Sequence, residues 1–240
     1  MFLTEFEELA RVAPEMVQLE FIDGRLEVRP TPDGGHLKAL ERITDACRHL
    51  RPELDFHQSR GIKVGEHASG RAWLDGALAP ARYFANDADG AEWADPDGVL
   101  MAVTVVMSTD RRDPVALREA YAAARIPVYL VVDRADRSAA VFFEPMDGRY
   151  RSATMCAFGS MLRLPEPVGV NLRTAVFDGL EEEPAGAVRI STEVAAQYLA
   201  DLRQAQGAET DEEAVRKAVM EAARRIQARE RTDVSGQEEL

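Results

Sequence analysis

Residues 99–106, Val99-Leu100-Met101-Ala102-Val103-Thr104-Val105-Val106, form a strand-like run. Residues 113–125, Asp113-Pro114-Val115-Ala116-Leu117-Arg118-Glu119-Ala120-Tyr121-Ala122-Ala123-Ala124-Arg125, read as a helix, with Val115, Ala116, Tyr121 and Ala122 available to pack. Val128-Tyr129-Leu130-Val131-Val132 is then a continuous apolar run, as expected of a strand buried on both faces. Strand, helix and buried strand in this order place one crossover helix beside a sheet.

Working outward, the upstream sequence supplies a second helix and a hairpin. Leu19-Glu20-Phe21-Ile22-Asp23-Gly24-Arg25-Leu26-Glu27-Val28 alternates about an Asp-Gly pair, a hairpin signal. Leu37, Leu40, Ile43, Ala46, Cys47 and Leu50 sit at helical spacing, and Pro52 stops that helix. Phe6, Leu9, Ala10 and Ala13 are spaced for a short opening helix. Strand-like runs are expected at 61–64 and 72–79, and downstream at 141–144, 150–157 and 161–164, around turns at Asp147-Gly148 and Gly159. Residues 80–98 read as a long polar loop carrying Tyr83, Phe84 and Trp93. The expected class is α+β (α/β-like): a mixed sheet flanked by helices.

The chain has 240 residues and a formal net charge of −13. That length accommodates one full domain and a small second one. An apolar content of 46% supports a real core and excludes global disorder. No run of about 18 apolar residues exists, so no membrane span is expected. The opening MFLTEFEELA lacks a basic region ahead of an apolar stretch, so no secretory signal is expected either. Cys47 and Cys156 are too few for a disulfide framework or a cysteine zinc site, which suggests a reduced, cytoplasmic setting. The negative balance argues against nonspecific coating of nucleic acid, though not against a local contact.

Charge is unevenly spread. Residues 1–180 hold 21 basic and 28 acidic side chains, and residues 181–240 hold 8 and 14. Glu181-Glu182-Glu183-Pro184-Ala185-Gly186 marks the shift and reads as an acidic linker over 181–187. The expected organisation is a domain over 1–180, the linker, a strand-helix-helix module over 188–232 and a disordered tail over 233–240.

Three blocks carry a family resemblance. They are Gly70-Arg71-Ala72-Trp73-Leu74-Asp75-Gly76-Ala77-Leu78-Ala79-Pro80, Glu92-Trp93-Ala94-Asp95-Pro96-Asp97-Gly98-Val99, and Thr109-Asp110-Arg111-Arg112-Asp113 with the helix and strand that follow it. Together, across about residues 5–177, they resemble the Uma-type (Uma-two) restriction endonucleases of the PD-(D/E)XK superfamily. The resemblance implies a restriction-endonuclease-like fold and Mg²⁺-dependent cleavage of DNA phosphodiesters. In that chemistry converging carboxylates hold Mg²⁺, the ion lowers the pKa of a water and neutralises phosphate charge, and a lysine assists.

Carried over position by position, Glu20 matches the early acidic residue and Asp75 the central aspartate, and both are the implied metal ligands. Leu74 replaces the proline that usually precedes that aspartate, and Thr104 stands where the catalytic glutamate is expected. Leu117 stands at the lysine position, one helical turn before Tyr121. A neutral hydroxyl and an alkyl chain leave the implied Mg²⁺ site degraded, so activity is expected to be weakened or absent. Lys63 on the strand before Asp75 is a possible rescue. Lys38 is another basic candidate, Glu92, Asp95 and Asp97 could lend a carboxylate, and His36 matches a histidine common near the start of its helix in the family. A surface position is the competing reading for each. Ser-His-Asp chemistry lacks a Gly-x-Ser-x-Gly elbow, and no phosphate-binding Gly-rich loop is present.

The C-terminal part begins with Val188-Arg189-Ile190-Ser191, which alternates as a short strand. Thr192 can cap a helix whose Val194, Ala195, Tyr198, Leu199 and Leu202 share a face. Thr210-Asp211-Glu212-Glu213 is a capping box for a second helix striped by Val215, Val219, Ala222 and Ile226. The order resembles a ribbon-helix-helix module, which implies a homodimer with Ala187, Arg189 and Ser191 facing a DNA major groove. A plain dimerising helical hairpin is the alternative. Two functions stay open here: a Mg²⁺-dependent endonuclease, weakened or inactive, and a noncatalytic dimeric DNA-binding or regulatory protein on a nuclease-like scaffold.

Overall fold

The computed structural model describes residues 2–13, 17–86, 93–107, 110 and 112–180. The linker, the strand-helix-helix module and the tail expected beyond residue 180 lie outside the described residues, as does Glu92. The chain divides into two compact units, residues 1–18 with 189–240, and residues 19–188. Of the first unit the described part is helix α1, Leu3–Val12, whose start is closed by the Phe2 N–H donating to the Glu5 carboxylate at 2.8 Å.

The second unit begins with the hairpin β1, Leu19–Ile22, and β2, Arg25–Val28. Asp23 and Gly24 both take positive φ, as a two-residue hairpin turn requires. Helix α2, Gly34–Leu50, starts where the Asp33 carboxylate accepts the His36 N–H at 2.6 Å. Then come β3, Leu54–Val64, and β4, Gly70–Pro80. Strand β5, Met101–Val106, leads to helix α3, Pro114–Ala123, and β6, Val128–Asp133. Asp113 caps α3 and proline occupies its first turn. A meander of β7, Ser138–Met146, and β8, Arg149–Ala157, follows, and β9, Met161–Leu164, pairs with β10, Val170–Arg173.

The main sheet runs β2-β1-β4-β5-β6-β7-β8, with β3 also on β4. It is mixed: β5 and β6 are parallel, joined by the α3 crossover, and the other pairs are antiparallel. This is the mixed sheet flanked by helices that the pattern predicts. Its two faces bury separate cores. Ala39, Leu40, Ile43 and Cys47 of α2 pack with Val103, Val105, Leu130 and Val132. Leu117, Ala120 and Tyr121 of α3 pack with Ile62, Leu74, Ala102 and Tyr129.

Three elements exceed the sequence pattern, among them β7, which runs over Ser138–Met146 rather than 141–144. Strand β3 starts at Leu54 rather than at residue 61, because its first half pairs with the second half of β4, from Leu74 to Pro80, while Gln58, Ser59 and Arg60 face solvent. Strand β10 is a four-residue partner for β9 that the sequence pattern did not mark. No helix among the described residues is long and apolar enough to cross a membrane.

Candidate active site

The site lies at a fork in the sheet. One edge of β4 is paired along its length by β3. The other edge is shared: β1 meets it at Arg71, and β5 meets it only at Gly76, Ala77 and Leu78. Between those contacts the ladder opens, and buried backbone donors there need other partners. Two side chains supply them. The Trp73 N–H donates to Glu20 Oε1 at 2.6 Å, and the Val105 N–H donates to Asp75 Oδ2 at 2.8 Å. On the β3 side the register breaks at the same place, where Ser59, opposite Asp75, takes a φ of +52°.

Both carboxylates are buried, Glu20 with no exposure and Asp75 at 1%. Each has a guanidinium against it. Arg29, just after β2, donates from Nη2 and Nε to Asp75 Oδ1 at 2.6 and 3.0 Å, and from Nη1 to the Ser59 hydroxyl at 3.2 Å. Arg112 reaches Glu20 Oε2 from Nη1 at 3.3 Å and grips Asp110 from Nη2 and Nε at 2.7 and 3.0 Å. His36, at the start of α2, places Nε2 3.9 Å from Asp75 Oδ2. Neither of its ring nitrogens has a hydrogen-bond partner.

The electrostatics follow from these neighbours. Burial pushes the Asp75 carboxyl up, but the charges of Arg29 and Arg112 and the Val105 N–H outweigh it, so its pKa lies below the ordinary value. At Glu20 burial wins over Arg112 and the Trp73 N–H, and the pKa is raised. Burial lowers the pKa of His36 against the pull of Asp75, which keeps the imidazole neutral near neutral pH.

Thr104 and Leu117 lie on the α3 face. The Tyr129 hydroxyl donates to Thr104 Oγ1 at 3.0 Å, and both side chains are buried. Leu117 is 2% exposed. They line a cavity of about 370 Å³ between α3 and strands β5 to β8, with Val131, Ala140 and Phe142 along its floor and Asp110 and Arg112 at one side. Among the described residues no ammonium faces this cavity.

The remaining candidates lie apart from the carboxylate pair. Lys63 pairs with Asp95 at 2.9 Å, tying β3 to the loop after β4. Lys38 is exposed on α2, and Asp97 lies in the loop before β5. That loop packs on β3 through the Ile62–Ala94 bridge, and Trp93 meets Trp73 edge to face. Arg189 and Ser191 lie outside the described residues. The two residues that sequence reasoning missed are Arg29 and Arg112. The available signal was charge balance: two acids placed inside a core demand counter-charge, and only three of the 29 basic residues are lysines.

Mg²⁺ requires near-octahedral oxygen donors that are free to coordinate. Here Asp75 Oδ1 accepts two N–H bonds from Arg29, Oδ2 accepts one from Val105, and Glu20 is held by Trp73 and Arg112. Among the described residues no three His, Cys, Asp or Glu side chains form a group able to hold a metal ion. The donors present do not fit the ion.

Three comparisons with known proteins bear on this geometry. Residues 3–176 match the Uma2 family model, described as "Putative restriction endonuclease". Among solved structures, a "putative nuclease belonging to DUF820" from Anabaena variabilis ATCC 29413 superposes with a TM-score of 0.57 at 11% identity, covering 75% of this chain and 98% of that one. At that identity the likeness speaks for the fold alone. No curated protein matches.

Proposed function

This chain belongs to the Uma2 family, and on that premise we propose that it is a nuclease-fold protein whose Mg²⁺-dependent cleavage of DNA is weakened or lost. One observation carries the reading. Where the family resemblance expects a catalytic acid and an ammonium, Thr104 offers a hydroxyl already bonded to Tyr129, and Leu117 offers an alkyl chain. A metal mechanism needs several carboxylates in one shell, because only together do they fix the ion and its water. Glu20 and Asp75, the carried-over ligands, keep their identity but have their oxygens engaged by the protein. Lys63, the possible rescue, is spent on Asp95.

The function left to such a scaffold is noncatalytic DNA binding or regulation as a cytoplasmic homodimer. The support is the sequence pattern of residues 188–232, a strand and two capped amphipathic helices with too little core to fold alone. In this reading 1–180 is the nuclease-like domain, 181–187 the linker and 188–232 the dimerising module, with Arg189 and Ser191 toward the groove.

The deciding measurement is cleavage of supercoiled DNA in Mg²⁺ or Mn²⁺ by the full chain beside Asp75→Ala. Activity at or near background is expected from both, and robust cleavage that the substitution abolishes overturns the reading. Salt-dependent DNA binding, compared with Arg189→Ala, tests the second half. A dimer that binds no DNA would leave dimerisation alone.

A further inference from the structure

We propose that Arg29 is a built-in counter-cation: its guanidinium closes the sheet fork against Asp75 and makes this centre structural and independent of metal. The inference rests on the reading that the carboxylates no longer hold an ion, and goes beyond it by assigning what they do instead. Three observations converge. First, Asp75 spans the fork, taking the Val105 N–H on one oxygen and Arg29 on the other. The carboxylate thus replaces a missing rung between β4 and β5, and the guanidinium balances its charge. Second, Arg29 is itself buried, with 3% of its side chain exposed. A guanidinium is withdrawn from water at this depth only against good acceptors, and its planar donors suit a carboxylate better than an ammonium would. Third, the other fork acid is neutralised in the same way, with Arg112 donating to Glu20 and on to Asp110. Both acids that the family resemblance assigns to the ion are therefore neutralised from within the chain.

A divalent ion and a guanidinium compete for the same charge, so removing one should expose a need for the other. His36, buried with both nitrogens unpartnered beside Asp75, is the remaining donor at that spot.

The test is thermal unfolding of the full-length chain in EDTA and in millimolar Mg²⁺ or Mn²⁺, with ionic strength matched by NaCl. Wild type should melt at the same temperature in each. Arg29→Met should melt lower by on the order of 10 °C, since it strands a buried carboxylate. Divalent cations, but not NaCl, should recover part of that loss. Arg29→Met with Asp75→Asn should recover part of it with no cation present, and should not respond to one.

The proposal is overturned if EDTA destabilises the wild type, if Arg29→Met melts like the wild type, or if its loss is indifferent to divalent ions. Should Arg29→Met fail to fold, Arg29→Lys gives the answer. It keeps the charge but loses the planar donors, and is expected to melt below wild type yet ignore divalent ions, whereas melting like wild type overturns the proposal. These melting readouts are separate from DNA cleavage. A wild type that cleaves yet melts identically in EDTA would sink the proposed function and leave Arg29 in place.

Discussion

The sheet fork and the α3 face hold their candidate site residues in opposite ways. At the fork, Glu20 and Asp75 are paired with Arg112 and Arg29. On the α3 face, where the family resemblance expects a glutamate and a lysine, stand Thr104 and Leu117, and the space beside them is a largely apolar cavity. The difference follows from backbone needs. Glu20 and Asp75 each accept a main-chain N–H that the open ladder would otherwise leave bare, so losing either would cost the fold as well as the chemistry. A side chain at position 104 or 117 serves no such donor. Side-chain identity at those two positions is therefore not constrained by the backbone, whereas that of the fork acids is.

The most direct way to break this comparison is to delete an acid that the fold is said to need. Asp75→Ala strands the Arg29 guanidinium and the Val105 N–H inside the core. It should cost about 3–5 kcal/mol, read from urea unfolding of the full chain, and an unchanged midpoint would refute the structural role. On the other half, Thr104→Val keeps the volume and removes one acceptor from the buried Tyr129 hydroxyl. The expected loss is about 1–3 kcal/mol. A loss as large as that of Asp75→Ala would mean that the α3 half is under the same structural constraint, and the contrast between the halves would go.

How far the sequence announces these two halves differs as well. The β5–α3–β6 unit was legible because its apolar periodicity, the cap at Asp113 and the stop before Val128 all agree. The hairpin was legible from Asp23-Gly24. Glu20, Thr104 and Leu117 could be placed because they sit on those regular elements, and Asp75 because it sits on the expected strand over 72–79. Arg29 and Arg112 could not. Arg29 follows a strand whose own residues are half exposed, and Arg112 stands within a polar run, so both read locally as surface charge. Their burial is decided by contacts 46 and 92 residues away in the chain, to Asp75 and Glu20. Periodicity carries no information at that range. The first half of β3 was missed for a related reason: an edge that is wet on its outer side needs no apolar alternation, only a partner to pair with.

A finer distinction comes from pH. His36 has its pKa held below the ordinary 6.5 by burial. Between the folded and unfolded values the unfolded chain binds more protons, so the stability this histidine contributes is complete above 6.5 and is lost as pH falls below it. Glu20 runs the other way, its raised pKa favouring the folded state as pH falls toward 4.5. The difference between wild type and His36→Gln therefore isolates the histidine. The wild type should lose up to about 1.4 kcal/mol per pH unit more than the variant below pH 6.5, measured by urea midpoints at stepped pH. Parallel curves would mean that His36 is charged or solvated in the fold and is not held neutral beside Asp75.

The smallest expected effect is a null one, and it bears hardest on the comparison. Restoring the family's chemistry on the α3 face alone, with Thr104→Glu and Leu117→Lys together, should not restore Mg²⁺ binding by titration calorimetry. The new glutamate would lie in the cavity that Thr104 lines, but Asp75 Oδ1 would still accept two N–H bonds from Arg29 and Oδ2 one from Val105. A site needs its donors free at the same time, and two restored residues cannot release a third. Heat of binding from that double variant would show that the fork acids are available to an ion and that Arg29 does not block them. Without it, adding Arg29→Met to the pair is the change that should turn binding on. The block would then lie in the charge gained at the fork as much as in the charge lost beyond it.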